Sequence, residues 1–173
     1  MNVLELFKNI TVLVFDIDGV LTDGSVLVLP GGVLARQMNI KDGYALQLAV
    51  KMNYQILIIS GGHSPESAER LGKLGVKHIF LGVNNKAECL QNFMDKHGIH
   101  PSQVLYMGDD LPDAAVMQLA GLPCCPADAA TEIKHLSRYI SHLGGGKGCV
   151  REVTEKVLKL RGDWKPDPLI KSR

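Results

Sequence analysis

Two aspartates one residue apart follow an unbroken apolar run in VLVFDIDGVLTDG, residues 12 to 24. Val12 to Phe15 read as a strand buried on both faces, Gly19 as the turn beyond it, and Asp16 and Asp18 as residues at the strand's carboxyl end. In an open α/β sheet that edge is where ligands bind. Two carboxylates a few ångströms apart can hold a hard cation and divide the work of nucleophile and proton carrier, because their surroundings push their proton affinities apart. Such a pair is equipped for phosphoryl transfer. Asp-Gly is also a common turn pair, and a turn cap is all these residues would be if nothing downstream answered them.

Three downstream stations do answer. IISGGHS, residues 58 to 64, ends an apolar strand in Ser60 and Gly61 ahead of a helix carrying Glu66, Glu69 and Arg70. A hydroxyl and bare backbone amides near a helix start suit a phosphate, although Ser-Gly-Gly taken alone is equally an ordinary loop. Lys86, in VNNKAE, opens a helix, where a cation opposes the helix dipole unless an anion lies close; the bland alternative is a solvated surface lysine. LYMGDDLPD, residues 105 to 113, sets Asp109, Asp110 and Asp113 around Pro112. Asp110 can be a simple helix cap, but three carboxylates so close together at a strand's end point to a Mg²⁺ ligand among them.

The elements that must position these stations alternate. Strands are expected near 11 to 15, 55 to 59, 78 to 81, 103 to 107, 121 to 125 and 138 to 141. Helices are expected near 43 to 52, 65 to 73, 84 to 97, 112 to 119 and 148 to 161, with a helical turn from 128. Buried strands alternating with helices predict an α/β fold with a doubly wound parallel sheet. Residues 25 to 38 (SVLVLPGGVLARQM) break the alternation and read as a β-hairpin inserted after the first strand, turning at Pro30, Gly31 and Gly32. From Gly162 through Trp164, Pro166 and Pro168 the chain has no period and is expected to form a tail, its lone Trp suited to docking.

Bulk properties narrow the partners. The 173 residues fit a single domain, 1 to 173, with a core large enough to need no disulfide or metal staple. Nineteen basic and eighteen acidic side chains leave a net charge of +1, and 5% of residues are aromatic, which argues against a nucleic-acid or membrane surface and for a small-molecule partner. Cys89, Cys124, Cys125 and Cys149 show no C-x-x-C spacing, and MNVLELFKNI lacks the pattern of a secretory leader, so a reduced, cytoplasmic enzyme is expected. No apolar run approaches the roughly 20 residues of a membrane-spanning helix.

The ordered set Asp16-x-Asp18, Ser60, Lys86 and Gly108-Asp109-Asp110-x-x-Asp113 resembles the haloacid dehalogenase superfamily of phosphohydrolases over nearly the whole chain. The resemblance implies that Asp16 attacks phosphorus while Asp18 protonates the departing alcohol and then activates water. It implies Mg²⁺ held by Asp16, the backbone carbonyl of Asp18 and Asp109, phosphate bound by Ser60, Gly61 and Lys86, and Asp110 and Asp113 in support. Neither gap between stations has room for a cap domain. More closely, NIKDGYALQLAV, VLYMGDDLPD and GGGKGCVREV are similar to the 3-deoxy-D-manno-octulosonate 8-phosphate phosphatases of lipopolysaccharide biosynthesis, capless homotetramers joined through such hairpins. In that family the tail can reach an adjoining active site.

Where many of those phosphatases carry arginine after the Ser/Thr-Gly pair, this chain has Gly62 and then His63. Candidate substrate contacts are Lys41, Asp42, His63, Arg70 and Lys147, with Arg36 and Arg151 as further sources of positive charge and solvated surface groups as the alternative. The 2-keto-3-deoxy-nononate 9-phosphate phosphatases share the frame, and a noncatalytic tetrameric scaffold of the same fold is a different class of reading. A phosphoryl-transferring mutase would need a cap to exclude water. GGGKG at 144 to 148 is not a P-loop, since Gly148 stands where Ser or Thr is required, and reads as a lid, substrate-facing or connecting loop. The histidines lack companions at ligand spacing, and Cys124 and Cys125 read as buried thiols.

Overall fold

The computed structural model describes residues 2–171. The chain opens with α1 (Val3–Asn9), which the sequence reading left unassigned; the Asn2 side chain accepts the Leu4 N–H and caps it, and Phe7 is buried. β1 (Val12–Phe15) follows, then the expected hairpin of β2 (Leu27–Val28) and β3 (Leu34–Ala35), antiparallel around a tight turn at Pro30–Gly32. α2 (Ile40–Lys51) begins earlier than residue 43 because Asn39 caps it by accepting the Lys41 N–H.

Next come β4 (Gln55–Ile59), α3 (Pro65–Lys73), β5 (His78–Phe80), α4 (Lys86–His97) and β6 (Val104–Met107). The helix expected over 112 to 119 shortens to α5 (Ala114–Met117), because Leu111–Asp113 form a tighter 3₁₀ turn that aims Asp113 inward. β7 (Leu122–Cys125), α6 (Thr131–Leu136), β8 (Tyr139–Ile140) and α7 (Cys149–Leu160) complete the chain's regular elements.

The six strands of the main sheet are all parallel in the order β5-β4-β1-β6-β7-β8. β1 lies at the centre, Phe15 level with Ile58 on one side and Met107 on the other. Side chains alternate across the sheet, as the period of two in a strand requires. Leu13, Phe15, Ile56, Ile58, Leu105 and Met107 pack with α1, α2, α3 and α7; Val12, Val14, Leu57, Ile59, Val104 and Tyr106 pack with α4, α5 and α6. The winding reverses between β1 and β6, and that crevice at the carboxyl ends is the fold's natural binding place.

The tail is not loose. Tyr44 accepts the Asp167 N–H at 2.9 Å, Lys51 pairs with Asp167, and the Arg151 guanidinium lies 4.7 Å over the Trp164 ring, so the segment docks back on α2 and α7 of its own chain. No helix of the described residues is long and apolar enough to cross a membrane.

Candidate active site

β1 delivers Asp16 directly to the crevice: its N–H donates to the Met107 carbonyl at 3.1 Å, continuing the β1-β6 ladder by one residue. Its carboxylate is held at both oxygens. Oδ1 accepts the Ile17 N–H at 2.6 Å, and Oδ2 accepts Lys86 Nζ at 2.7 Å. Beyond it the chain turns at Gly19, φ +85°, and Thr22 Oγ1 closes the turn by accepting the Gly19 and Gly24 N–H groups.

Lys86, the first residue of α4, has the anionic company its position predicted. Its ammonium donates to Asp16 and, at 2.8 Å, to Asp113 Oδ1. Asp113 Oδ1 also accepts the Tyr106 hydroxyl at 2.7 Å, and Oδ2 accepts the Asp109 N–H at 3.1 Å. Three donors therefore fix Asp113, whereas Asp109 lends this network only its backbone. Gly108 is obligatory beneath it, since a β-carbon there would stand 2.4 Å from the Asp113 side chain.

One ammonium faces three carboxylates whose oxygens lie within 4.8 Å of one another: Asp16, Asp109 and Asp113. The surplus of negative charge shows in their proton affinities. Burial, then the charge of Asp113, pushes Asp16 up to about 6, with Lys86 pulling the other way. Burial, then Asp113, Asp16 and Asp110, pushes Asp109 up to about 7. Burial opposes the charge on Lys86, but Asp16 and Asp113 outweigh it and raise its affinity for its proton. An uncompensated all-oxygen set of this kind fits a small divalent cation such as Mg²⁺.

These groups open on a cavity of about 310 Å³, which Asp18, Ser60, Gly61, Gly62 and Asp110 also line. The Ser60 hydroxyl accepts the Gly62 N–H at 3.2 Å, and Asp110 caps the following 3₁₀ turn by accepting the Leu111 N–H at 2.8 Å. Asp18 faces the hairpin. Arg36 grips its carboxylate with both prongs, Nε to Oδ1 at 2.6 Å and Nη2 to Oδ2 at 3.1 Å.

Five candidate substrate contacts are not brought to this cavity. Asp42 is only 2% exposed; its Oδ1 accepts the Arg151 N–H at 2.7 Å, so it caps α7, and burial pushes it up to about 6. Lys41 and His63 are exposed, Lys147 sits 3.9 Å from Asp23, and Arg70 lines a separate groove between the hairpin and α3. The sequence reading gave no part to Tyr106, whose signal was a lone hydroxyl in an otherwise apolar buried strand. The 144 to 148 loop braces the turn that follows Asp18: Gly146 N–H donates to the Val20 carbonyl at 2.9 Å, and Asp128 fixes the loop by accepting the Gly145 N–H at 2.9 Å.

Comparison with known proteins identifies the family. Residues 79–143 match the sequence pattern of the haloacid dehalogenase-like hydrolases. The chain is 35% identical over 161 residues to the 3-deoxy-D-manno-octulosonate 8-phosphate phosphatase KdsC of Salmonella typhi, covering 93% of this chain and 86% of that protein. The chain belongs to the haloacid dehalogenase superfamily. It is a phosphatase of that superfamily, and solved haloacid dehalogenase phosphatases share its architecture. The Moraxella catarrhalis 3-deoxy-D-manno-octulosonate 8-phosphate phosphatase, in complex with magnesium, phosphate and KDO, matches with a TM-score of 0.90 at 31% identity, over 94% of this chain and 93% of that one. The Yersinia pestis phosphatase of the same name matches with a TM-score of 0.90 at 30% identity, over 93% and 87%.

Proposed function

We propose that this phosphatase hydrolyses 3-deoxy-D-manno-octulosonate 8-phosphate to the free sugar acid and phosphate, with Mg²⁺ as cofactor. The observation that carries the reading is the division of the acidic pair, Asp16 locked between Ile17 and Lys86 and Asp18 turned toward the hairpin, in a chain similar to phosphatases of that ester over more than nine-tenths of its length.

Asp16, with its orientation fixed, attacks phosphorus as the bond to the leaving oxygen breaks, giving an acyl phosphate on Asp16. Asp18 donates a proton to the departing alkoxide and takes one from the water that then hydrolyses the acyl phosphate. Lys86 and Ser60 bind phosphoryl oxygens, and Asp113 holds Lys86 in place. Asp16, Asp109 and the Asp18 carbonyl would hold Mg²⁺, which when bound offsets the charge that otherwise keeps carboxylate and phosphate dianion apart. The four cysteines are unpaired, in keeping with a reduced cytoplasmic compartment.

The hairpin supports self-association. Leu27 and Val28 are 64% and 70% exposed beside half-exposed Val33 and Leu34, an apolar surface that a homotetramer joined through its hairpins would cover.

The test is phosphate release from the eight-carbon and nine-carbon keto-acid phosphates, with and without chelator. The expected result is a higher kcat/KM for the eight-carbon ester, lost on chelation. A preference for the nine-carbon ester, or turnover surviving Asp16→Asn, overturns the reading. Sedimentation of Val28→Asp against the parent chain tests the assembly, which should fall to smaller species.

A further inference from the structure

We propose that Arg36 is a specificity-determining residue of this site, the cation that receives the carboxylate of a sugar-acid leaving group. The inference rests on the substrate reading above and deepens it.

The argument begins with donors. A guanidinium has five N–H groups in a fixed plane. Arg36 spends two on Asp18 and one, from Nη1, on the Leu34 carbonyl at 3.3 Å, which leaves two unspent. One of those is on Nη2, and Nη2 lies 3.7 Å from where a β-carbon of residue 62 would stand; Asp18 Oδ2 lies 3.2 Å from the same point. Because residue 62 is glycine, the guanidinium and the Asp18 carboxylate share a slot with no side chain in its floor. The slot adjoins the oxygen that must meet the leaving group, so whatever the phosphate was attached to passes over it.

Arg36 lines the groove between the hairpin and α3 together with Arg70, on the Asp18 side of the cavity; Lys41 is exposed, and the other basic candidates have acidic neighbours. Lys86 is consumed by Asp16 and Asp113, Lys147 lies beside Asp23, and Arg151 pairs with Glu155 while covering Trp164. The Arg36 side chain is 9% exposed, held by Asp18 and the hairpin, so it meets an incoming anion already desolvated and oriented. A carboxylate accepts from such a fork at both oxygens, whereas a neutral alcohol does not repay the charge.

The test compares kcat/KM for a sugar-acid phosphate and for p-nitrophenyl phosphate, whose leaving group has no carboxylate, in the parent, Arg36→Gln and Arg36→Lys, with melting temperatures to show that each variant folds. Both rates are expected to fall in Arg36→Gln, since Asp18 loses its partner. The preference for the acid should collapse by about tenfold or more, chiefly through KM, and Arg36→Lys should recover part of it. Equal losses on the two esters overturn the inference and leave Arg36 a positioning residue for Asp18. A parent enzyme with no preference for the acid overturns the substrate reading itself, and is seen before any variant is made.

Discussion

Gly19 and Asp109 are packed so closely that a β-carbon on residue 19 would stand 1.9 Å from Asp109 Oδ2. The turn just past Asp16 and Asp18 and the carboxylate beyond β6 thus occupy space that only hydrogen at position 19 permits, and φ +85° selects glycine a second time. Gly19→Ala should push Asp109 away from Asp16 and lower kcat by about 100-fold, since displacement on the ångström scale costs that much in such sites. Gly31→Ala is the control: it has a similar φ of +81° and nothing within 4 Å, so it should cost about 1 kcal/mol of strain and no turnover. Equal activity in the two variants would show that the contact does not matter.

Gly145 also presses on this turn. A β-carbon there would meet the Gly19 carbonyl oxygen at 2.0 Å, backbone against backbone, so neither atom can rotate away. Gly145→Ala should therefore reduce kcat more than it reduces the melting temperature, because the loop can lift from the turn while the core stays packed. Steady-state kinetics beside thermal unfolding would show it, and a full-rate variant would mean the loop is only a connector.

Lys86 is the sole cation between Asp16 and Asp113 among the described residues. Lys86→Met leaves two buried carboxylates facing each other, and breaking such a pair costs about 3–5 kcal/mol, less whatever proton uptake recovers. Turnover should fall by about 100-fold or more as the phosphoryl group loses its ammonium. Guanidinium denaturation and phosphate release measure the two losses separately.

Tyr106→Phe removes one of three donors to Asp113 and leaves Lys86 and the Asp109 N–H in place. The expected cost is about 1 kcal/mol in stability, with a fall in kcat smaller than that of Lys86→Met. A larger kinetic effect than the lysine variant shows would place the tyrosine in the chemistry itself.

Burial and mutual repulsion set Asp16 at about 6 and Asp109 at about 7, above the ordinary carboxylate range. Between about pH 4 and 7 the folded protein then holds protons that the unfolded chain has already released, so metal-free stability falls as pH rises through that window. Mg²⁺ should reverse the trend, raising the melting temperature strongly at pH 8 and little at pH 5. Asp109→Asn should flatten both curves. A Mg²⁺-induced shift of equal size at both pH values would refute the account.

Much of this was legible in the chain because buried parallel strands announce themselves, and a carboxylate, hydroxyl or amine just past a strand's end has one place to go. Asp16 and Ser60 follow their strands directly, Asp109 comes one glycine after its strand, and Lys86 at a helix start demanded an anion. What was hidden depended on pairs distant in sequence. Asp42 in IKDGY reads as a candidate substrate contact, yet it caps a helix more than a hundred residues later. The Arg36 grip on Asp18 depends on how the hairpin leans over the sheet edge, which no local period encodes. α1 was missed because seven residues give too little periodicity, and the helix after Asp110 was overdrawn because Pro112 and Asp113 serve the site before they serve the helix.

α7 packs between the faces of α1 and α2, and its first turn is capped from α2. On the ribosome, then, the nascent chain must hold Phe7, Leu46 and Leu48 against an unfinished surface until residues 149 to 160 emerge. Fragments ending before Cys149 would carry every candidate catalytic residue but leave one apolar side of the sheet bare, and they should be substrates for chaperones or proteases rather than partial enzymes.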